Sequence, residues 1–124
     1  LFRFEEHLTG DPRAASALAG IAGEPSALAV MTRFAEQIDA RVPPSLTTRE
    51  VWRETAVEVG RALGVRGRAL YHAIRVAVTA ADEGPELDRL VPLIEEGSGL
   101  DLPSPVLSCA RRARLVAARL AMMS

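Results

Sequence analysis

The chain has 124 residues, of which 48% are apolar and 25% charged, and a formal net charge of −1. That balance is globular rather than disordered, and its apolar runs are too short to cross a bilayer. Its charge excludes a protein that holds polyanions through a global positive field.

Length fits one domain, or two small helical subdomains that share a core. The single cysteine rules out an internal disulfide and any multi-cysteine metal site, and it suits a reducing cytoplasm. All fifteen basic residues are arginine, so contact with nucleic acid has to be local, made by a few guanidinium groups. Residue 1 is Leu, and residues 1–6 have neither a basic region nor an apolar stretch of a signal peptide. The start therefore reads as a cut inside a longer protein.

Residues 1–10 show no clear period and read as a tail or the end of a preceding element. Asp11-Pro12 is a helix-start pair, because the carboxylate accepts from unpaired amides and proline lacks only an N–H that would be unpaired there. A short alanine-rich helix to about Ala19 is expected, ended by Gly20 or Gly23. Pro25 opens a second, with Leu28, Met31, Ala35 and Ile38 at three- and four-residue spacing and Phe34 beside them, up to Val42 and the stop Pro43-Pro44. Thr47 and Glu50 match a capping box, which starts a helix to about Leu63 that buries Val51, Trp52, Thr55 or Ala56, Val59 and Leu63. Gly64 supplies the left-handed residue that ends it.

Residues 67–79 form a further expected helix, with Ala69, Leu70, Ala73, Ile74, Ala77 and Val78 inward. Val76 and Val78 admit a short strand as a minor alternative. Pro85 begins the next helix, through Leu87, Leu90, Val91 and Ile94. The segment from Glu95 to Pro103 is the least helical, and Ser104-Pro105 starts a last helix over 105–122, with Cys109 beside its apolar face. The class is all-α, a compact bundle of about six short helices.

Catalytic constellations do not emerge. His7 and His72 are far apart and outside metal-ligand spacing, so both read as surface or boundary residues. Cys109 reads as a small hydrophobe, with no base indicated nearby. Gly64-x-x-Gly67 follows a helix and lacks Gly-Lys-Ser/Thr, so it is a helix stop and tight turn, not a phosphate loop. Arg111, Arg112, Arg114 and Arg119 make residues 104–124 purely basic; they are either a solvated helix face or a ridge for phosphates. Arg75 by itself reads as a rim residue whose methylenes pack on the core.

Trp52, then the run Gly64-Val65-Arg66-Gly67 through Ile74-Arg75-Val76-Ala77-Val78-Thr79, then Gly84-Pro85-Glu86-Leu87 and the leucine-rich 90–93 carry a resemblance. In this order they resemble the C-terminal anticodon-binding domain of bacterial glutamyl-tRNA synthetases, which are class I aminoacyl-tRNA synthetases. That family shows a tryptophan-bearing helix, a Gly-x-Lys/Arg-Gly turn, an apolar segment ending Arg-x-Ala-Leu-Thr-Gly and a Gly-Pro-x-Leu helix start. The agreement covers roughly residues 47–94. Two departures stand out: Thr79-Ala80 replaces Thr-Gly, at about 1 kcal/mol if the left-handed stop is kept, and Glu95 to Pro103 is inserted before the last helix.

The resemblance implies that residues 1–46 close a preceding helical subdomain and 47–124 form the anticodon-binding one. It implies contact of Arg75, Gly84, Pro85 and Leu87 with anticodon bases, and Arg66, Arg68, Arg111 and Arg112 are added as candidate phosphate contacts. The implied partner is a glutamate-accepting tRNA, with no membrane and no DNA, and a monomer is expected. No catalytic residue, metal or cofactor is expected in these residues, since ATP and magnesium would serve a separate catalytic domain of a glutamate–tRNA ligase. The competing reading is a non-catalytic paralogous helical domain that mediates protein–protein contacts, motivated by the acidic balance, Ala80 and the insertion.

Overall fold

A computed structural model describes residues 4–41, 46, 48–100 and 106–123. Among them the chain forms seven helices and no strand: α1 (Phe4–Gly10), α2 (Pro12–Ile21), α3 (Ala27–Asp39), α4 (Arg49–Leu63), α5 (Arg68–Thr79), α6 (Leu87–Ser98) and α7 (Cys109–Met122). The central element is α3, which packs against α4, α5 and α7 at once, while α6 lies against α4 and α7. The inward residues of α3, Val30, Met31, Phe34, Ala35 and Ile38, recur at helical spacing and are all buried. Each large apolar side chain buried in this way contributes about 1.5–3 kcal/mol, so this one stripe dominates the cohesion of the bundle.

Local chemistry sets most helix ends. Asp11 caps α2 by accepting from the Arg13 amide at 2.8 Å, and Pro12 occupies the first helical position. Gly64 stops α4 with φ 67°, and Gly67 turns the chain into α5 with φ 65°. Arg112, lying at the start of α7, donates from Nε to the Leu107 carbonyl and from Nη1 to the Val78 carbonyl, both at 2.9 Å, and its guanidinium stacks on Phe4. One arginine thus ties α1, α5 and α7 together.

Several boundaries differ from the sequence reading. Phe4–Gly10 is helical, which raises the helix number from six to seven; Phe4 and Leu8 bury one side of it. Thr48, not Thr47, caps α4, accepting from the Val51 amide at 3.2 Å, so Glu50 sits in the first turn rather than closing a capping box. Thr47, Pro43-Pro44 and Ser104-Pro105 lie outside the described residues. The last helix starts at Cys109, where the Ser108 hydroxyl accepts from the Arg111 amide. Residues 95–98, expected to be irregular, continue α6, and that helix begins at Leu87 rather than at Pro85. Leu28 and Ala69, expected inward, are exposed.

Glu95 explains why α6 continues. Its buried carboxylate accepts the Cys109 amide at 2.7 Å and the Leu46 amide at 3.2 Å, bolting the end of α6 to the start of α7. Burial, with this carboxylate beside it, pushes the Cys109 thiol well above its ordinary value, so it stays protonated as a small hydrophobe.

Two backbone positions are tight. A Cβ on Gly60 would lie 2.6 Å from the Val65 carbonyl oxygen and 3.0 Å from a Leu70 methyl, because the α4–α5 turn folds back onto α4. Ala80, which ends α5, is left-handed at φ 53° and fully buried. The left-handed stop of the resemblance is therefore kept, without the glycine.

Gly60→Ala is expected to lower stability by about 1–3 kcal/mol, as overpacking does, read as a lower urea midpoint with the m-value unchanged. An unmoved midpoint would show that the turn is slack. Ala80→Gly has opposing terms: relief of left-handed strain of about 1–2 kcal/mol, against a lost buried methyl of about 0.8 kcal/mol and added chain entropy of about 0.5–1 kcal/mol. The same titration should find it within about 1 kcal/mol of the parent.

Candidate functional site

Where α4, α5 and the start of α6 meet, the surface opens into a cleft of about 660 Å³, lined by Arg49, Trp52, Arg53, Tyr71, Arg75, Glu86, Leu87 and Asp88. Helical geometry places these side chains. Arg49, Trp52 and Arg53 stand three and four residues apart on one face of α4, and Tyr71 and Arg75 are one turn apart on α5. Trp52 is 1% exposed, with Phe34 edge-to-face on one side at 6.1 Å between centroids and Tyr71 on another at 6.3 Å. The wall of the cleft is thus continuous with the core.

Asp88, in the first turn of α6, closes the floor. It accepts the Trp52 Nε1–H at 2.8 Å and the Arg53 Nε–H at 3.1 Å, and Arg53 Nη2 reaches its second oxygen. Arg49 approaches that same oxygen at 3.4 Å. The hydrogen bond from Arg53, followed by that from Trp52, holds the Asp88 carboxyl below its usual range, and the hydrogen bond to Asp88 raises the Arg53 guanidinium.

Two arginine nitrogens, Arg41 Nη2 and Arg75 Nη1, are buried without a hydrogen bond among the described residues, and of these Arg41 Nη2 has the Glu58 carboxylate 3.5 Å away while Arg75 lies in the cleft. Its Nη1 is buried yet has no hydrogen-bond partner among the described residues. A buried unpaired donor costs about 1–3 kcal/mol, and a charged one costs more. Gly84 gives this nitrogen its room: a Cβ there would lie 3.2 Å from it. Leu87, 9% exposed, lines the cleft beside them as the first residue of α6, and no side chain caps that helix start. The turn that carries Gly84 is shaped from α5. Thr79 Oγ1 donates to the Arg75 carbonyl at 2.6 Å and accepts the Ala81 amide at 3.1 Å, and His72 Nε2 pairs with Asp82 at 3.0 Å.

The sequence-derived residues thus divide. Arg75 and Leu87 line the cleft, Gly84 touches Arg75, and Pro85 follows it as an exposed residue of the same turn. Arg66, Arg68 and Arg111 are exposed and do not line the cleft, and Arg112 is committed to two backbone carbonyls. Sequence reasoning missed Arg49, Arg53, Tyr71 and Asp88. A signal existed for the first two, since both share the helical face of Trp52, but nothing in one sequence places Asp88 under the indole.

Glutamate–tRNA ligase 2 of Methylobacterium sp. (strain 4-46) is 34% identical over 74 residues, 60% of this chain and 17% of that protein. The chain is similar to glutamate–tRNA ligases. Glutamate–tRNA ligase 1 of Chelativorans sp. (strain BNC1) is 40% identical over 53 residues, and glutamate–tRNA ligase 2 of Acidiphilium cryptum (strain JF-5) is 42% identical over 53; each match takes in 43% of this chain. The matched stretch spans between 12% and 17% of the length of these glutamate–tRNA ligases. No family model matches the chain. No solved structure matches it. Among the described residues no helix is long and apolar enough to cross a membrane, and no group of three His, Cys, Asp or Glu could hold a metal ion.

The depressed Asp88 sets a pH expectation. A carboxyl whose folded pKa lies below its unfolded value contributes stability that is present above the unfolded value and lost as pH falls through the folded one. Below the ordinary carboxylate range, near 3.8, the Trp52 indole therefore loses a charged acceptor. Trp52 fluorescence should shift there in the parent and already be shifted at neutral pH in Asp88→Asn. A flat parent titration down to unfolding would show that the Asp88 contact does not govern the indole.

Proposed function

We propose that this chain is the anticodon-loop-binding domain of a glutamate–tRNA ligase and serves tRNA aminoacylation in translation. The observation that carries this reading is the unpartnered Arg75 nitrogen held in the cleft beside Gly84 and Leu87. A guanidinium in such a place is a donor fork that lacks an acceptor, and the exposed edge of an unstacked loop base supplies one. Leu87 offers an apolar surface for the same base, and the uncapped start of α6 adds backbone donors next to it. Pro85 pre-sets the backbone of the turn and presents an apolar ring at its surface. The similarity to glutamate–tRNA ligases supports a glutamate-accepting tRNA as the partner.

In this reading the chain binds and orients RNA and moves no proton or group itself. ATP and magnesium would serve glutamate activation in a separate catalytic domain of the ligase. Recognition does not need a basic protein: Arg75 acts at one atom, while phosphate contacts from exposed arginines such as Arg66, Arg68 and Arg111 add only salt-sensitive affinity.

Arg75→Ala should keep the helical circular dichroism and weaken binding of an RNA hairpin carrying the glutamate anticodon loop by about 1–3 kcal/mol, as loss of a base contact does. Gly84→Ala should weaken it in the same direction by crowding Arg75 Nη1. Affinity should also fall as salt rises from low to moderate, with a log–log slope of about −0.7 per phosphate neutralised. Unchanged affinity of Arg75→Ala in a fluorescence titration would sink the reading. Binding to a protein partner that is insensitive to salt, with no RNA binding, would favour the paralogous interaction domain instead.

A further inference from the structure

Tyr71 is not accounted for by base recognition at Arg75. It is 40% exposed, although its ring is held by the buried Trp52 and through it by Phe34. An aromatic ring that is fixed from behind and left open in front has lost its conformational freedom before any ligand arrives. Such a ring is a pre-set platform for another flat ring. The neighbouring charges have the complementary sign. Arg53 is engaged with Asp88 through both Nε and Nη2, whereas Arg49 meets that carboxylate only through Nε at 3.4 Å and keeps 58% of its side chain exposed. Its terminal nitrogens can therefore take an anion without breaking the Trp52–Asp88–Arg53 contact.

We infer that Tyr71 and Arg49 form a second nucleotide subsite in the cleft, in which the tyrosine ring stacks on one unpaired base and the arginine takes a phosphate of the same strand. The inference rests on the RNA-binding reading above and deepens it. The occupant is single-stranded RNA adjoining the base held at Arg75, because Tyr71 and Arg75 are one helical turn apart on α5 and line the same cleft. The cleft volume of about 660 Å³ falls within the range of about 300–1,000 Å³ that holds compact ligands. Stacking is indifferent to base identity, since every base has a π-face. Arg75 therefore reads a base and Tyr71 reads the presence of an unstacked strand.

The test is a fluorescence titration of the whole chain with an RNA hairpin carrying the glutamate anticodon loop, in parallel with hairpins in which each loop base is changed in turn. Tyr71→Ala should lower affinity by about five- to a hundredfold, by the same factor for the base substituted at the stacking position. Tyr71→Phe should stay within about twofold of the parent, because the ring and not the hydroxyl makes the contact. Arg49→Gln should flatten the salt dependence by about one phosphate.

If Arg75→Ala weakens binding and Tyr71→Ala does not, the subsite is refuted and the RNA-binding reading stands; if the parent binds no RNA, both fall. Should Tyr71→Ala fail to fold, 2-aminopurine placed at each loop position decides with the parent protein. One position must be quenched on binding to the parent and to Tyr71→Phe, and quenching at none would overturn the subsite.

Discussion

The single contact on which the site depends is the hydrogen bond from the Trp52 indole to Asp88. Trp52 is almost wholly buried, so its N–H has to find an acceptor, and leaving it unpaired would cost about 1–3 kcal/mol. The acceptor comes from the first turn of α6, where a carboxylate also suits the positive end of the helix dipole. One bond thus fixes the start of α6 against α4. Since Leu87 immediately precedes Asp88, and Gly84 and Pro85 precede it by a few residues, the bond also sets where the Gly84-Pro85 turn stands relative to α5. Asp88 at the same time gathers Arg53 and Arg49, so its oxygens are already taken by three donors and none is spent on Arg75.

This division of labour explains how a chain of net charge −1 can hold a cationic site. Several arginines are consumed by the fold. Arg112 is bound to the carbonyls of Leu107 and Val78, Arg114 pairs with Asp39 to join α7 to α3, and Arg41 donates to the Thr55 hydroxyl beside Glu58. Their charges are local fasteners and say nothing about a partner. Arg41 Nη2 is also buried without a hydrogen bond, but it lies 3.5 Å from the Glu58 carboxylate, whereas Arg75 Nη1 is shut off from solvent and Arg75 joins no ion pair among the described residues. A buried donor with neither a hydrogen bond nor a charge partner calls for an explanation, and a ligand atom is the simplest one.

The sequence made the helices legible wherever a stripe or a stop signal was local. The Leu70 to Val78 stripe, the Gly64 stop and the Asp11-Pro12 start each depend on residues within a turn or two of one another. The fold departs from the reading where a long-range contact overrides local preference. Residues 95–98 contain Gly97 and precede Gly99, which argues for a loop, yet α6 runs on because Glu95 reaches the Cys109 amide. Phe4–Gly10 lacks a visible period because a seven-residue helix offers only two inward positions, Phe4 and Leu8. Of the site, Arg75 and the Gly-Pro-x-Leu turn were visible through resemblance alone. The aromatic stack and Asp88 were not, because they are formed by pairs up to 36 residues apart.

Ala80 shows how the two scales meet. Left-handed alanine is disfavoured by about 1–2 kcal/mol, and glycine would avoid that strain, yet this chain keeps the conformation, with the Ala80 amide bound to the Val76 carbonyl at 2.7 Å. The reason lies in what surrounds it: the methyl is fully buried, and Thr79 clamps the turn from both sides through the Arg75 carbonyl and the Ala81 amide. Burial and the clamp together offset the strain. Between Gly67 and Ala80, both with positive φ, α5 is bounded at each end. Its register cannot slide, so Tyr71 and Arg75 stay on the cleft face one turn apart. The strain at Ala80 is thus a cost of holding that register, and the register is what aligns an open aromatic ring with the unpaired Nη1 of Arg75.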